Sequence, residues 1–218
     1  MAALTYAAVR VTNLAAPPAN MAIVQTAAAR CVALLIGDSG IARWPLRPAP
    51  GWQYRRLGAP GATTAAIAGP ARAAIAAARA NLIVINAGGN DAAGIAFLRG
   101  ERRHAEIARS AARVAALARA GQASGARVVV LGLVPPAHQP WWRALLIGGR
   151  QGAAMAAIEA ATVLPAGVTR IDTSALIGAD GRSDHVHFTP AAYARIDAAL
   201  APYRALACPV QGAATAAS

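Results

Sequence analysis

The sequence predicts an α/β protein: a parallel sheet with helices on both faces. Three observations lead there. Short apolar runs at 31–36 (CVALLI), 81–86 (NLIVIN) and 127–134 (RVVVLGLV) each stop soon after at glycine or proline, as buried parallel strands do. Residues 101–122 change to a helical period, with Ile107, Ala111, Val114 and Ala118 on one face and Arg102, Glu106, Arg109 and Arg113 on another. Strands that alternate with such helices pack as a parallel sheet covered on both sides.

In chain order, residues 1–30 form an extension with no assignable element. The strand 31–36 runs straight into Gly37-Asp38-Ser39-Gly40. A weaker strand, 53–57, is closed by Gly58-Ala59-Pro60-Gly61. An alanine-rich helix is expected over about 62–79, interrupted at Gly69-Pro70. The clearest strand, 81–86, ends at Gly88-Gly89. Helix 101–122 and strand 127–134 follow, then a proline-rich loop through Pro140, a helix near 150–162, a short strand at 168–171 and a loop to Ser183. Thr189-Pro190 reads as an N-cap with proline in the first turn, opening a last helix through about Tyr203. Residues 31–204 make one domain, and 205–218 read as a frayed tail.

Composition narrows the function classes. The 218 residues suit one domain with a sizeable core. Apolar residues make up 56%, much of it alanine, and aromatics only 5%, which favours helix over an all-β framework. The net charge of +12 invites a nucleic-acid reading, but all 21 basic residues are arginine and none is lysine. Alanine, glycine, proline and arginine share GC-rich codons, so codon bias accounts for that pattern. The arginines are dispersed along helix faces without a nucleic-acid motif, so no nucleic-acid partner is expected. An attractive field for an anionic substrate is the milder consequence.

Cys31 opens an apolar run and reads as a buried free thiol. A bridge to Cys208 stays open, because two cysteines define no framework. No spacing suggests a metal site. The N-terminus lacks a basic start, and Thr12, Asn13, Pro17, Pro18 and Asn20 break its apolar stretches. No apolar run has membrane-spanning length, and the cytoplasm is the default location. No pattern in the sequence specifies an oligomeric state.

The unusual residues fall where strands end, the edge at which open α/β sheets bind ligands. Four ordered blocks stand out: Gly37-Asp38-Ser39, Gly61 within GAPGATT, Gly88-Gly89-Asn90-Asp91, and Asp184-His185-Val186-His187. Together they resemble the SGNH (GDSL-type) hydrolases, named for Ser, Gly, Asn and His in four blocks. The likeness covers about residues 31–204, including HFTPAAYARI, which looks like the family's final helix. It implies a three-layer α/β/α, flavodoxin-like fold with about five parallel strands. It also implies a serine esterase that needs no cofactor or metal. Gly40 departs from the pattern, standing where many members carry leucine or another larger side chain.

The resemblance assigns Ser39 as nucleophile, His187 as base and Asp184 as the residue orienting it, in the family's D-x-x-H. It assigns the oxyanion hole to the backbone N–H groups of Ser39 and Gly61 and the side chain of Asn90. Chemistry supports such roles, since a serine hydroxyl needs a base and the tetrahedral intermediate needs donors. Asp38 is expected to shape the turn around Ser39, and Asp91 to brace the oxyanion loop. His185 is the decoy for His187, while His104 and His138 read as solvated. Trp44, Trp141 and Trp142 are candidate walls of an acyl or sugar pocket, with packing as the alternative. The expected substrate is a small-molecule or carbohydrate ester, short-chain or O-acetyl, because no lid-like apolar insertion is present. Lysophospholipase, acyl-thioesterase and a non-catalytic binding module are the alternatives. A chymotrypsin-like reading of Gly-Asp-Ser-Gly fails, because no histidine precedes Ser39 and the pattern is not all-β. The Gly-x-Ser-x-Gly elbow of α/β-hydrolases is absent around Ser39.

Overall fold

The computed structural model describes residues 23–137, 141–147, 149–178, 180–184 and 186–208. Its strands are β1 (Val24–Gln25), β2 (Cys31–Gly37), β3 (Trp52–Gly58), β4 (Leu82–Asn86), β5 (Arg127–Leu131) and β6 (Thr169–Ile171). Its helices are α1 (Ser39–Ala42), α2 (Thr64–Ala78), α3 (Gly89–Ile95), α4 (Gly100–Ala123), α5 (Trp141–Ile147), α6 (Arg150–Ala161), α7 (Thr173–Ile177), α8 (Pro190–Ala199) and α9 (Ala201–Ala207).

The strands form one sheet in the order β1-β3-β2-β4-β5-β6. Five run parallel, and β1 pairs antiparallel with β3 through Val24 and Arg56. The expected five parallel strands are therefore present, and the unassigned extension adds a sixth at the edge. The chain goes from β2 outward to β3, then crosses back to β4 on the other side. This reversal opens a crevice beyond the carboxyl ends of β2 and β4. Register brings Gly37 level with both Gly58 and Asn86, so three strands end at one line below that crevice.

Alternation along each strand fills two cores. Leu34, Ile36, Ile83, Ile85, Val128 and Val130 face Ile67 and Ile75 of α2 and Val114 and Leu117 of α4. Leu35, Val84, Val129 and Leu131 face Ile41, Trp44, Tyr193 and Ile196 on the other side. The result is three layers. Each of these leucines and isoleucines, fully buried, contributes about 1.5–3 kcal/mol, which is how runs so poor in aromatics hold a sheet.

Several elements depart from the sequence-based expectation. Helix α2 runs unbroken through Pro70, because Ile67, Ala71, Ala74, Ile75 and Ala78 bury one continuous face on both sides of it. That packing outweighs the hydrogen bond that proline removes. Helix α5 follows the expected proline-rich loop, in a stretch with no predicted element, and α7 lies inside the expected loop before Ser183. The last helix breaks at Leu200, ahead of Pro202, into α8 and α9. The expected frayed tail is helical to Ala207, and Cys208 is bonded to Cys31, with Cα atoms 6.2 Å apart. Cys31 is thus buried as a disulfide, not as a free thiol. Glu106 and Arg109 pair at 2.5 Å on the exposed face of α4, and His104 is exposed there too. Among the described residues no helix is long and apolar enough to cross a membrane.

Candidate active site

The site begins where β2 stops. Asp38 caps α1, its side chain accepting the Gly40 backbone N–H at 3.0 Å, so Ser39 becomes the first residue of a short helix over the crevice. Side-chain capping of this kind holds a tight strand-to-helix turn. From the opposite side of the turn, Tyr193 of α8 donates its hydroxyl to the Gly40 carbonyl at 2.7 Å. Asp38 is 7% exposed. Burial pushes its carboxyl up to about 7; the Gly40 N–H opposes this, and the charge of Asp91 adds to it.

Two further loops reach the same crevice. Gly61, at φ +77°, follows β3, and Gly88, at φ +118°, opens α3 after β4. Both need the left-handed conformation that glycine adopts without penalty. Asn90 sits in the first turn of α3, and its Nδ2 donates to the Ala62 carbonyl at 3.1 Å, tying the two loops together. Asp91 is 1% exposed and wholly engaged. It accepts from the Thr64 backbone N–H at 2.8 Å, the Thr64 hydroxyl at 2.6 Å and the Ser110 hydroxyl at 2.7 Å. Through it, α3 is fixed to the start of α2 and to α4.

The fourth piece is the loop before α8. Asp184 Oδ1 accepts the backbone N–H groups of Val186 and His187, each at 2.8 Å, while Oδ2 lies 2.6 Å from His187 Nδ1. Burial works against the Asp184 charge. The His187 hydrogen bond and the two N–H groups outweigh it and hold the carboxyl below the usual carboxylate range. The loop is closed by Ser183 N–H on the His187 carbonyl at 2.8 Å. His185 and His138 lie outside the described residues.

A cavity of about 320 Å³ collects these pieces, lined by Ser39, Gly61, Asn90 and His187 together with Asp38. Its other walls include Arg43, Asn86, Leu133, Gln151, Met155 and Phe188. Asp184 stands behind His187. Trp44, a candidate wall, instead lies in the core at 3% exposure, 5.3 Å from the Tyr193 ring. Trp141 and Trp142 face outward on α5, 77% and 39% exposed, and do not line the cavity. Sequence reasoning missed Tyr193, Asn86 and Arg43. Asn86 carried a signal, as a polar residue closing the most apolar strand.

The sequence of residues 35–195 matches the model of the GDSL-like Lipase/Acylhydrolase family. No curated protein matches the chain. Solved structures do. A carbohydrate acetylesterase from Sinorhizobium meliloti is 17% identical, with 81% of this chain and 99% of that one covered and a TM-score of 0.58. A catalytic mutant of an acetylxylan esterase from Geobacillus stearothermophilus is 16% identical over 81% and 95%, at 0.55. A GDSL-like lipase from Bacteroides thetaiotaomicron is 21% identical over 90% and 95%, also at 0.55. At such identities the structures speak for the fold, and the family match, spanning most of the chain, carries the assignment. The chain belongs to the GDSL-like lipase/acylhydrolase family, the SGNH hydrolases, whose members hydrolyse ester bonds.

Proposed function

We propose that this protein is a serine esterase that removes short acyl groups, acetyl foremost, from a carbohydrate or other small alcohol through an acyl-enzyme on Ser39. The observation that carries the reading is one cavity lined by Ser39, Gly61, Asn90 and His187, with Asp184 2.6 Å from the far nitrogen of that histidine. His187 takes the Ser39 proton as the hydroxyl attacks the ester carbonyl, then returns it to the departing alcohol. Asp184, ionised across the working range, holds Nδ1 protonated so that Nε2 is free to act, and stabilises the imidazolium. The N–H groups of Ser39 and Gly61 and the Asn90 amide receive the oxyanion. Water then attacks the acyl-enzyme with the same histidine as base.

The cavity, about 320 Å³, has room for a short acyl group and part of its alcohol. A lysophospholipid or acyl-thioester substrate needs room for a long chain as well as its head. The neighbouring acetylesterase structures point the same way. The Cys31–Cys208 bridge bears on location. Disulfides persist in oxidising compartments and are rare in a reducing cytosol, so the bridge favours an exported enzyme over the cytoplasmic default.

A fluorophosphonate probe tests the serine: it should label the wild-type chain and leave Ser39→Ala unlabelled. A folded wild-type chain that never labels would make this a binding module. A p-nitrophenyl ester series should peak at acetate or butyrate, and a maximum at long chains would transfer the protein to the lysophospholipase reading.

A further inference from the structure

Arg43 and Asn86 are polar groups of the cavity for which the triad and oxyanion hole have no use. Arg43 lies one turn after the nucleophile, at the C-terminal cap of α1, and lines the cavity. Its guanidinium makes no hydrogen bond or ion pair within the described residues. Asn86 ends β4, is 8% exposed, and its side-chain amide likewise has no hydrogen-bond partner among those residues. The amide faces the cavity, where water or a ligand can satisfy it.

The two are on the same side of the nucleophile helix. A Cβ on Gly40 would meet Asn86 Oδ1 at 2.8 Å and Phe188 Cε2 at 3.9 Å. Gly40 therefore leaves room for the Asn86 amide against α1, and Arg43, three residues on, projects from that same face. This gives the larger side chain's absence at 40 a reason. The cavity's one carboxylate apart from any substrate is Asp38, buried and already occupied with the Gly40 N–H. Arg43 is the guanidinium in the cavity wall, in a chain of net charge +12, and such a charge draws anions toward a cleft.

We infer that Arg43, with Asn86 beside it, binds a carboxylate on the alcohol portion of the ester, so that the preferred substrate is an O-acylated acidic sugar. An acetyl group is too small to carry the charge, which places the anion on the leaving alcohol. The planar guanidinium matches a carboxylate in a two-point contact. Asn86 supplies a further N–H. This rests on the esterase reading of the same cavity and specifies its substrate.

The test compares acetate release from O-acetylglucuronic acid and from its methyl ester, which lacks the charge and adds one methyl group. Wild type should favour the acid by about tenfold or more in kcat/KM, with the preference shrinking as salt rises. Arg43→Ala should bring the ratio near one, and Arg43→Lys should restore part of it. Reading a ratio within each variant removes any loss of folded protein from the comparison. Equal rates on the two esters in wild type, or an unchanged ratio in Arg43→Ala, overturn the inference. An acetylated sugar phosphate that outperforms the glucuronate would also overturn the carboxylate assignment. Calorimetry of O-acetylglucuronic acid with Ser39→Ala, with and without Arg43→Ala, reads the anion site apart from turnover. Arg43-dependent binding without turnover supports the site and fails the esterase reading; turnover of both esters without preference does the reverse.

Discussion

The hydroxyl of Tyr193 bonds the carbonyl of Gly40 at 2.7 Å across 153 residues of sequence. The final long helix thereby buttresses the turn that presents Ser39. Burial, with the charge of Asp38 adding to it, pushes the Tyr193 phenol up to about 12, so the hydroxyl keeps its proton through neutral and alkaline pH. Tyr193→Phe keeps the ring that packs Trp44 and Phe188 but leaves the carbonyl unpaired. We expect a stability loss of about 1 kcal/mol and a fall in kcat on the order of tenfold through a displaced nucleophile. Denaturant titration and p-nitrophenyl acetate kinetics check both. Unchanged kcat would make the bond a packing detail.

Asp38 gives the protein a pH dependence of defined sign. Its carboxyl rises from 3.8 to about 7 on folding, chiefly through burial. Between those values the folded protein keeps a proton that the unfolded chain has released, so stability from this group falls as pH rises. Below about 4 both states hold the proton, and above about 7 neither does. The integrated loss is on the order of 4 kcal/mol. Asp38→Asn does not titrate, and its amide oxygen still accepts the Gly40 N–H. Its melting temperature relative to wild type should therefore climb from about pH 4 to about pH 7. A difference independent of pH would mean Asp38 does not titrate in that window.

Much of this was legible in the sequence, and the failures have physical causes. The strands at 31, 81 and 127 were clear because a parallel strand buried on both faces is an uninterrupted apolar run. The face of α4 was clear because Ile107, Ala111, Val114 and Ala118 keep a helical period and are all buried. Pro70 misled, since local breaking tendency was overruled by tertiary packing. Helix α3 was missed because its glycines and Asn90-Asp91 mimic turn chemistry, and α5 because seven residues after Pro140 are too few to show a helical period. Ordered blocks singled out Ser39, Gly61, Asn90 and His187, which do meet at one cavity. The three tryptophans did not follow, because an aromatic near a site in sequence says nothing about which way it faces. Tyr193 reaches Gly40 across 153 residues, a contact that no short spacing encodes.

The disulfide should stabilise the fold without serving the site. Cys31 starts β2, the far end of that strand from Ser39, and Cys208 follows α9. Closing a separation of 177 residues restricts the unfolded chain and is worth about 2–5 kcal/mol. Cys31→Ala with Cys208→Ala, or reduction of the wild type, should lower the melting temperature by several degrees. Activity at moderate temperature should persist. Free-thiol titration of the unreduced, unfolded protein checks the bridge itself, and two reactive thiols would refute it.

The central claim is that Ser39 and His187 perform the hydrolysis. Its most direct test is the turnover of p-nitrophenyl acetate by wild type, Ser39→Ala, His187→Ala and His185→Ala, each shown to be folded by circular dichroism. The mechanism expects Ser39→Ala and His187→Ala each to lose at least about three orders of magnitude in kcat, while His185→Ala stays active. Activity that survives Ser39→Ala, or that falls with His185→Ala and not with His187→Ala, would contradict it.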